Sequence, residues 1–594
     1  MPPLSPVLDA ATTGGFLLVL AIVVPVAGAL LAFAVGGRQV ERIAMGMMPL
    51  GLAIIIAIGV GMQRAKAPLV YLLGGWAPPL GVALRTDGLS VVMMAVTGVV
   101  ICAVGVFAYA DFRTPPGSGE SRAPFAFWIL LLAIWAALNT IFLGGDLFTL
   151  YVALELLTFA AVPLVCLDGR AATFQAALRY LLFALLGSVL YLVGTALLYG
   201  AYGTLDIPLL SHRIDAAPGT LVAVALMTVG LLAKTALFPL HLWLPPAHAG
   251  APAAGSAILS ALVVKGSFFI LIRLWFDVMP GIVTQAAAQL LAALGAAAIL
   301  FGSVVALRQR RLKLLIAYST LAQIGYLFLM FPLAFGGEPA RLVSGAALAG
   351  GLLQTISHAM AKAAMFMSAG LIYSALGHDR IAELGGIGRV LPMSVLAFAL
   401  GGAALMGVPP SGAYLAKELL LQAAAQTGQW WWEAVIQAGG ILTSSYVLLV
   451  VTHALAPAEE PVTSRIRISR IGEVAALALA LCSLSLGLVP WGAYLPIPPD
   501  GLSNPLTFEP LAKMLWPLLA GAVLTILLGR WGDRPARWPF GSFLVAVIGP
   551  ARRTALALSG RVDRVDSVLR QWPAAGLSLL VLAILFGAAL LADR

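Results

Sequence analysis

Four lysines stand where this sequence could do chemistry. Lys234, Lys265, Lys362 and Lys417 each lie inside an apolar run, whereas the remaining Lys and Arg residues fall in hydrophilic loops, at helix ends or in the C-terminal tail. A lysine at the centre of a bilayer-spanning helix costs roughly 2.5–3.5 kcal/mol on insertion scales, so four of them need a polar interior and partners. Burial disfavours the charged ammonium and a nearby carboxylate favours it, which makes such a lysine responsive to its neighbours. The candidate partner is Glu155, in DLFTLYVALELLTFAAVP, with apolar residues on either side. A glutamate beside a lysine holds the lysine's proton, and separating the two releases it, so the set reads as a proton relay. The alternative for the pair is an ion pair that only fixes helix packing.

Histidines extend the set. His358 and Lys362, in HAMAK, are four apart and share a helical face. An imidazole passes protons in either direction near neutral pH, or alternatively only bonds a backbone carbonyl. His241 and His248 lie in PLHLWLPPAHAG, where they are candidates for proton uptake from the cytoplasmic side. Gln323 and Tyr326 are polar enough to order water but read first as packing residues.

The elements that must position these groups are membrane helices. The chain has 594 residues, 61% hydrophobic and 10% charged, against roughly 25% charged in soluble domains. Apolar runs near the ~20 residues that a spanning helix needs predict fourteen spans from 14–36 to 471–490, then spans at 507–529 and 574–591. The first run lacks a basic flank and a small-residue cleavage site, so it reads as a retained helix. With the first loop placed in the cytoplasm, loops on that side collect eighteen Lys and Arg residues against seven opposite. That bias predicts an N-terminus outside the cytoplasmic membrane and accounts for the net charge of +10 without nucleic acid.

Two predicted spans, 219–238 and 391–420, are interrupted by proline. Pro239, Pro245 and Pro246 follow Lys234, and Pro409, Pro410 and Gly412 precede Lys417. Proline removes a backbone donor and clashes with the preceding turn, and broken backbone at membrane depth is tolerated only beside a polar cavity. Two such segments in separate halves point to inverted repeats. In ARRTALALSGRVDRVDSVLRQW, Leu558, Val562, Val565, Leu569 and Trp572 recur every three or four residues, with Arg and Asp on the other face. This predicts an amphipathic helix along the membrane or a neighbouring subunit.

Several chemistries find no support. Cys102, Cys166 and Cys482 are isolated, with no C-x-x-C and no Cys/His cluster of metal spacing, so neither metal nor cofactor is expected. The chain also lacks G-x-x-x-x-G-K-[ST], G-x-S-x-G and H-E-x-x-H.

The stretch LLAKTALFPLHLWLPPAHAGAPAAGSAILSALVVKGSFFILIRLWF resembles the signature region of the antiporter-like subunits shared by respiratory complex I, Mrp-type cation/proton antiporters and membrane-bound [NiFe] hydrogenases. The likeness runs from about residue 85 to 455. It implies an all-α polytopic bundle of about fourteen core helices in two inverted five-helix repeats. Glu155 then matches the fifth-helix glutamate, Lys234 and Lys265 the seventh- and eighth-helix lysines, Lys417 the twelfth-helix residue, and His358 and Lys362 polar positions between. Pro246 stands where the family usually has an acidic residue. Lysine at 417 resembles the D type of Mrp antiporters and the L and N types of complex I more than the M type. The tail past 507 is reminiscent of the lateral arm of the L type, though much shorter.

The implied organisation is N-terminal helices over 1–123, repeats over 124–276 and 282–456, C-terminal helices over 471–529, an amphipathic cytoplasmic-side segment over 530–572 and a last helix over 573–594. The expected function is proton translocation by an integral membrane subunit, with other membrane subunits, a peripheral redox arm or a Na+-exchanging assembly as partners. The competing readings are a self-sufficient Na+/H+ exchanger, for which carboxylates besides Glu155 are scarce, and a non-conducting scaffold of a redox complex.

Overall fold

The computed structural model describes residues 11–115, 121–336, 341, 342, 344–458, 468–495, 507–528 and 560–592. Among them, fourteen helices are long and apolar enough to cross a membrane. In chain order the helices that matter are α1 (Phe16–Val35), α2 (Gln39–Ala65), α3 (Gly88–Ala108), α4 (Arg122–Leu143), α5 (Leu147–Val165), α6 (Ala171–Tyr202) and α7 (Pro218–Thr235). There follow α8 (Leu244–Gly250), α9 (Ala253–Val278), α10 (Gln285–Arg308), α11 (Leu312–Ala334) and α12 (Gly345–Leu376). The last are α13 (Pro392–Met406), α14 (Gly412–Gln426), α15 (Trp430–Leu455), α16 (Arg470–Leu488), α17 (Phe508–Leu528), α18 (560–569) and α19 (Trp572–Leu591). The part of the expected amphipathic segment over 530–559 lies outside the described residues. A small antiparallel hairpin, Leu69–Leu72 with Ala83–Thr86, joins α2 to α3.

Polar residues at the helix ends set where several helices begin. Asp87 accepts from the Ser90 amide at 2.8 Å to start α3, Asp146 accepts from the Phe148 and Thr149 amides to start α5, and Ser411 accepts from the Tyr414 amide to start α14. Each satisfies backbone donors that a helix N-terminus leaves open.

Both predicted breaks are present. α7 ends at Ala236, whose φ is +58°, and the chain turns through Pro239 before α8 begins. The Trp243 indole donates to the Ala233 carbonyl at 3.0 Å, which also accepts from the Ala236 amide at 3.2 Å, and so ties the turn to the end of α7. The span expected over 391–420 is two helices, α13 and α14, with Gly407 at φ +88° at the end of the first. Only glycine takes that left-handed conformation without a steric penalty.

The first half is held by a close backbone crossing. A Cβ placed on Gly230 of α7 would stand 2.3 Å from the Gly187 carbonyl oxygen of α6, and one on Gly187 would lie 3.3 Å from Lys234 Cγ. Small residues permit such close approach between membrane helices. Gly230→Ala is therefore expected to push α6 and α7 apart at a cost of about 1–3 kcal/mol, typical of overpacking. Thermal unfolding of the detergent-solubilised protein checks this, and a midpoint equal to wild type refutes it.

Candidate functional site

The first relay position is assembled by α5, α6 and α7. Lys234, at the C-terminal end of α7, is 6% exposed and its ammonium donates to Glu155 Oε1 at 3.0 Å, to Thr158 Oγ1 at 2.8 Å and to the Leu154 carbonyl at 3.4 Å. Glu155 and Thr158 are three apart on α5, so both face α7. The Ser188 hydroxyl of α6 donates to the same carboxylate oxygen. The pair thus sits at the meeting point of three helices.

Lys265 lies deeper. The helix that carries it, α9, contains a π turn at Leu259–Val263 immediately before the lysine. Such turns are rare and frequently functional. The Lys265 ammonium bends back to donate to the Ser260 carbonyl. Two hydroxyl pairs flank it: Thr235 Oγ1 and Ser267 Oγ at 2.9 Å towards Lys234, and Ser260 Oγ and Thr320 Oγ1 at 2.9 Å towards the second half.

On α12, His358 and Lys362 are both fully buried. Lys362 donates to the Ser319 hydroxyl of α11, and His358 lies within electrostatic reach of Lys265 and Lys362. Neither ring nitrogen of His358 has a hydrogen-bond partner among the described residues, and the same is true of His248, whose ring stacks on Phe366 at 4.7 Å. A cavity of about 500 Å³ opens beside α8, with Asp168, Arg170, Pro246, Gly250 and Lys313 among its walls.

Lys417 occupies the second break. Its ammonium donates to the Met406 carbonyl at 2.7 Å and to the Leu405 carbonyl at 3.4 Å. It caps the C-terminus of α13, where freed carbonyls and the helix dipole favour a cation. A cavity of about 520 Å³ reaches it, lined also by Glu418, Gln437 and Ser444.

The tail differs from the expectation in one respect. On α18 the exposed residues include the apolar Val565, Val568 and, just beyond, Trp572, while Asp566 is 3% exposed and faces the protein. Asp566 accepts a 2.6 Å hydrogen bond from the Tyr318 hydroxyl, stands 3.1 Å from His241 Nε2 and pairs with Arg570 at 2.9 Å. Arg308 pairs with Asp563. The acidic face turns inward because cations, an imidazole and a phenol await it there, which leaves Val565 and Val568 outward beside Arg561 and Arg564, while Val562 packs on the core. His241, expected as an uptake group, is fully buried beneath this contact.

Burial raises the pKa of Asp566, but the hydrogen bonds from His241 and Tyr318 and the charge of Arg570 outweigh it and hold the group below its ordinary 3.8. A carboxylate with a depressed pKa in the docked state stabilises docking above the ordinary value and loses that contribution as pH falls through the depressed one. Amide hydrogen exchange across 560–569 is therefore expected to accelerate only below about pH 4. Equal exchange at pH 3 and pH 7, corrected for intrinsic rates, would refute it.

Glu155, Lys234, Lys265, His358, Lys362 and Lys417 are conspicuous in the sequence because charge is rare in apolar runs. Thr158, Ser188, Ser260, Ser319, Thr320 and Asp566 are not, since hydroxyl residues recur throughout the helices and Asp566 belongs to a charged tail. Arg273 is a further surprise. Expected near a loop, it is 9% exposed and bridges Asp87 at 2.6 and 2.8 Å and Asp277 at 2.7 Å.

The sequence and the fold are similar to those of known proteins. Residues 144–443 match the family described as NADH:quinone oxidoreductase/Mrp antiporter, TM. The chain is 32% identical over 461 residues to the N-type subunit of NADH-quinone oxidoreductase of Desulforudis audaxviator, covering 74% of this chain and 87% of that one. It is 28% identical over 417 residues to the D-type subunit of the Na(+)/H(+) antiporter of Alkalihalophilus pseudofirmus, covering 69% and 80%. Its fold is similar to a chain of the Mrp complex from Dietzia sp., with a TM-score of 0.71 at 23% identity, covering 86% and 97%. The half of the chain that holds Lys234, Lys265, Lys362 and Lys417 thus falls within one family, and the protein belongs to it: the NADH:quinone oxidoreductase/Mrp antiporter family of membrane subunits.

Proposed function

We propose that this chain is a proton-translocating subunit of a larger membrane complex, built from two inverted five-helix repeats over 124–276 and 282–456. The observation that carries the reading is the Lys234–Glu155 ion pair at 3.0 Å followed by the buried Lys265 and Lys362 and by the half-buried Lys417 at the second break. An intramembrane ionisable group with a partner is a functional site by default. Protons enter from the cytoplasmic side past His248, by way of the cavity beside α8, and reach the central lysines. They pass from Lys265 to His358 and Lys362 and leave by Lys417. Glu155 gates the first lysine by approaching or leaving it. The orientation that places the N-terminus outside the cytoplasmic membrane follows from the loop charges.

The similarity to subunits of NADH-quinone oxidoreductase and of Na(+)/H(+) antiporters supports assembly with other integral membrane subunits. Mild-detergent extraction of the tagged protein, with co-purifying subunits identified by mass spectrometry, tests this. Iron–sulfur or [NiFe] partners make it the pump arm of a redox complex. Small hydrophobic partners alone make it part of an antiporter that exchanges protons for Na+ or another cation. A protein that purifies without partners and exchanges ions alone overturns the proposal.

A further inference from the structure

Between Lys362 and Lys417 no charged group of the relay intervenes, yet neutral hydroxyls lie between the two, two of them on α15, which carries none of the lysines. Lys362 donates to the Ser319 hydroxyl, which itself donates to the Ile316 carbonyl at 2.8 Å and lies next to the Tyr446 hydroxyl of α15. Tyr446 donates to Thr443 Oγ1 at 3.3 Å, and Thr443 interacts with the Tyr326 hydroxyl. The Tyr326 ring lies under the Lys417 ammonium, 5.4 Å from its centre. Gln323 donates to Thr443 at 3.1 Å and to Tyr446 at 3.2 Å, and accepts from Gln354 at 2.8 Å. All of these except Lys417 are essentially fully buried.

The helix is shaped for this. Gly439, Thr443 and Tyr446 are spaced by four and three and share one face of α15. A Cβ on Gly439 would stand 2.1 Å from the Tyr326 hydroxyl oxygen, and one on Gly440 would stand 3.9 Å from Lys417 Nζ. Gly439 therefore opens the niche that Tyr326 fills, while a side chain at Gly440 would only touch the lysine. A purely structural tyrosine needs one partner for its hydroxyl. Tyr446 instead donates to Thr443 and accepts from Gln323, within a row of hydroxyls that starts at Lys362 and reaches Tyr326 beside Lys417.

We propose that Tyr446 and Thr443 form the bridge that hands protons between Lys362 and Lys417, with Gln323 holding both hydroxyls in line. This rests on the proton-relay reading above. The Lys362 ammonium gives a proton to Ser319 Oγ as Ser319 gives its own to Tyr446. Tyr446 gives its own to Thr443, and Thr443 to Tyr326. The Tyr326 hydroxyl, which donates to the Ile436 carbonyl at 3.4 Å, lies beside the cavity that Ile436 and Lys417 line, and water in that cavity carries the proton to the neutral Lys417 amine. One proton leaves Lys362 and one arrives at Lys417. Each hydroxyl ends neutral with its hydrogen bond reversed, and rotation resets it, in Thr443 to the Gly439 carbonyl it bonds at 2.7 Å.

The test uses the assembled complex in membrane vesicles with a pH-sensitive dye, driven by the complex's own reaction or ion gradient. Tyr446→Phe and Thr443→Val are each expected to lower proton transport roughly 100-fold, the scale of a positioned proton-transfer group, and Thr443→Ser to restore most of it. Replacement of Tyr446 by 3-fluorotyrosine keeps the ring and the packing but makes the phenol more acidic, so the pH profile of transport is expected to move to lower pH. An unmoved profile, or wild-type transport in Tyr446→Phe, overturns the bridge. Lys362→Ala separates the two levels. If it abolishes transport while Tyr446→Phe does not, the bridge alone fails; if it too runs at the wild-type rate, the relay reading fails with it.

Discussion

A complex carrying Glu155→Gln is expected to assemble normally and to lose roughly 100-fold in proton transport, the scale of removing one positioned proton-transfer group. The glutamine amide has nearly the same shape, and its carbonyl oxygen can still accept from the Lys234 ammonium. Thr158 at 2.8 Å and the Leu154 carbonyl remain as further partners. What disappears is the negative charge. Without it the protonated and neutral forms of Lys234 are no longer distinguished by the distance to α5, and that distinction is what a gate requires. Lys234→Ala removes the other partner and is expected to give the same loss, with Glu155 left to the Ser188 hydroxyl. Dye-monitored acidification of vesicles, alongside quantification of the assembled complex, checks both. Wild-type transport in both variants would reduce the pair to a packing element.

Arg273→Ala is expected to have the largest effect on stability. The guanidinium makes two bonds to Asp87, one to Asp277 and one to Ser90 Oγ at 3.0 Å, and it lies over the Phe269 ring at 4.8 Å. Through these contacts α9, which carries Lys265, is tied to the start of α3. Removing the cation leaves two largely buried carboxylates facing one another, and breaking a buried pair in this way costs about 3–5 kcal/mol. Arg273→Lys is expected to recover little, because an ammonium cannot reproduce the planar fork that engages Asp87 with two nitrogens. Thermal unfolding of the solubilised protein reads the loss directly. An alanine variant as stable as wild type would show that water reaches the carboxylates and screens them.

The membrane class, nearly all of the helices, the two broken segments and the charged members of the site are legible in the order of residues alone. The physical reason is contrast. A lysine, a glutamate or a run of prolines in a hydrocarbon-soluble segment is costly, so its presence is informative wherever it falls. The length of the apolar runs also locates nearly every helix, and the prolines within 391–420 mark where that run divides into α13 and α14.

How those members are connected depends on the packed molecule. The contact between His241 and Asp566 joins residues 325 positions apart, and the inward turn of the acidic face of α18 depends on Arg308 and Tyr318 waiting beside it. Hydroxyls such as Ser319, Thr320 and Thr443 carry no signal in sequence, because within a helix each can bond the carbonyl one turn back and be content anywhere. Their use follows from which helices are brought together, and that in turn from close crossings such as the one between Gly187 and Gly230. Charge can be read along the chain; a path for a proton exists only where separate helices place their hydroxyls within a hydrogen bond of one another.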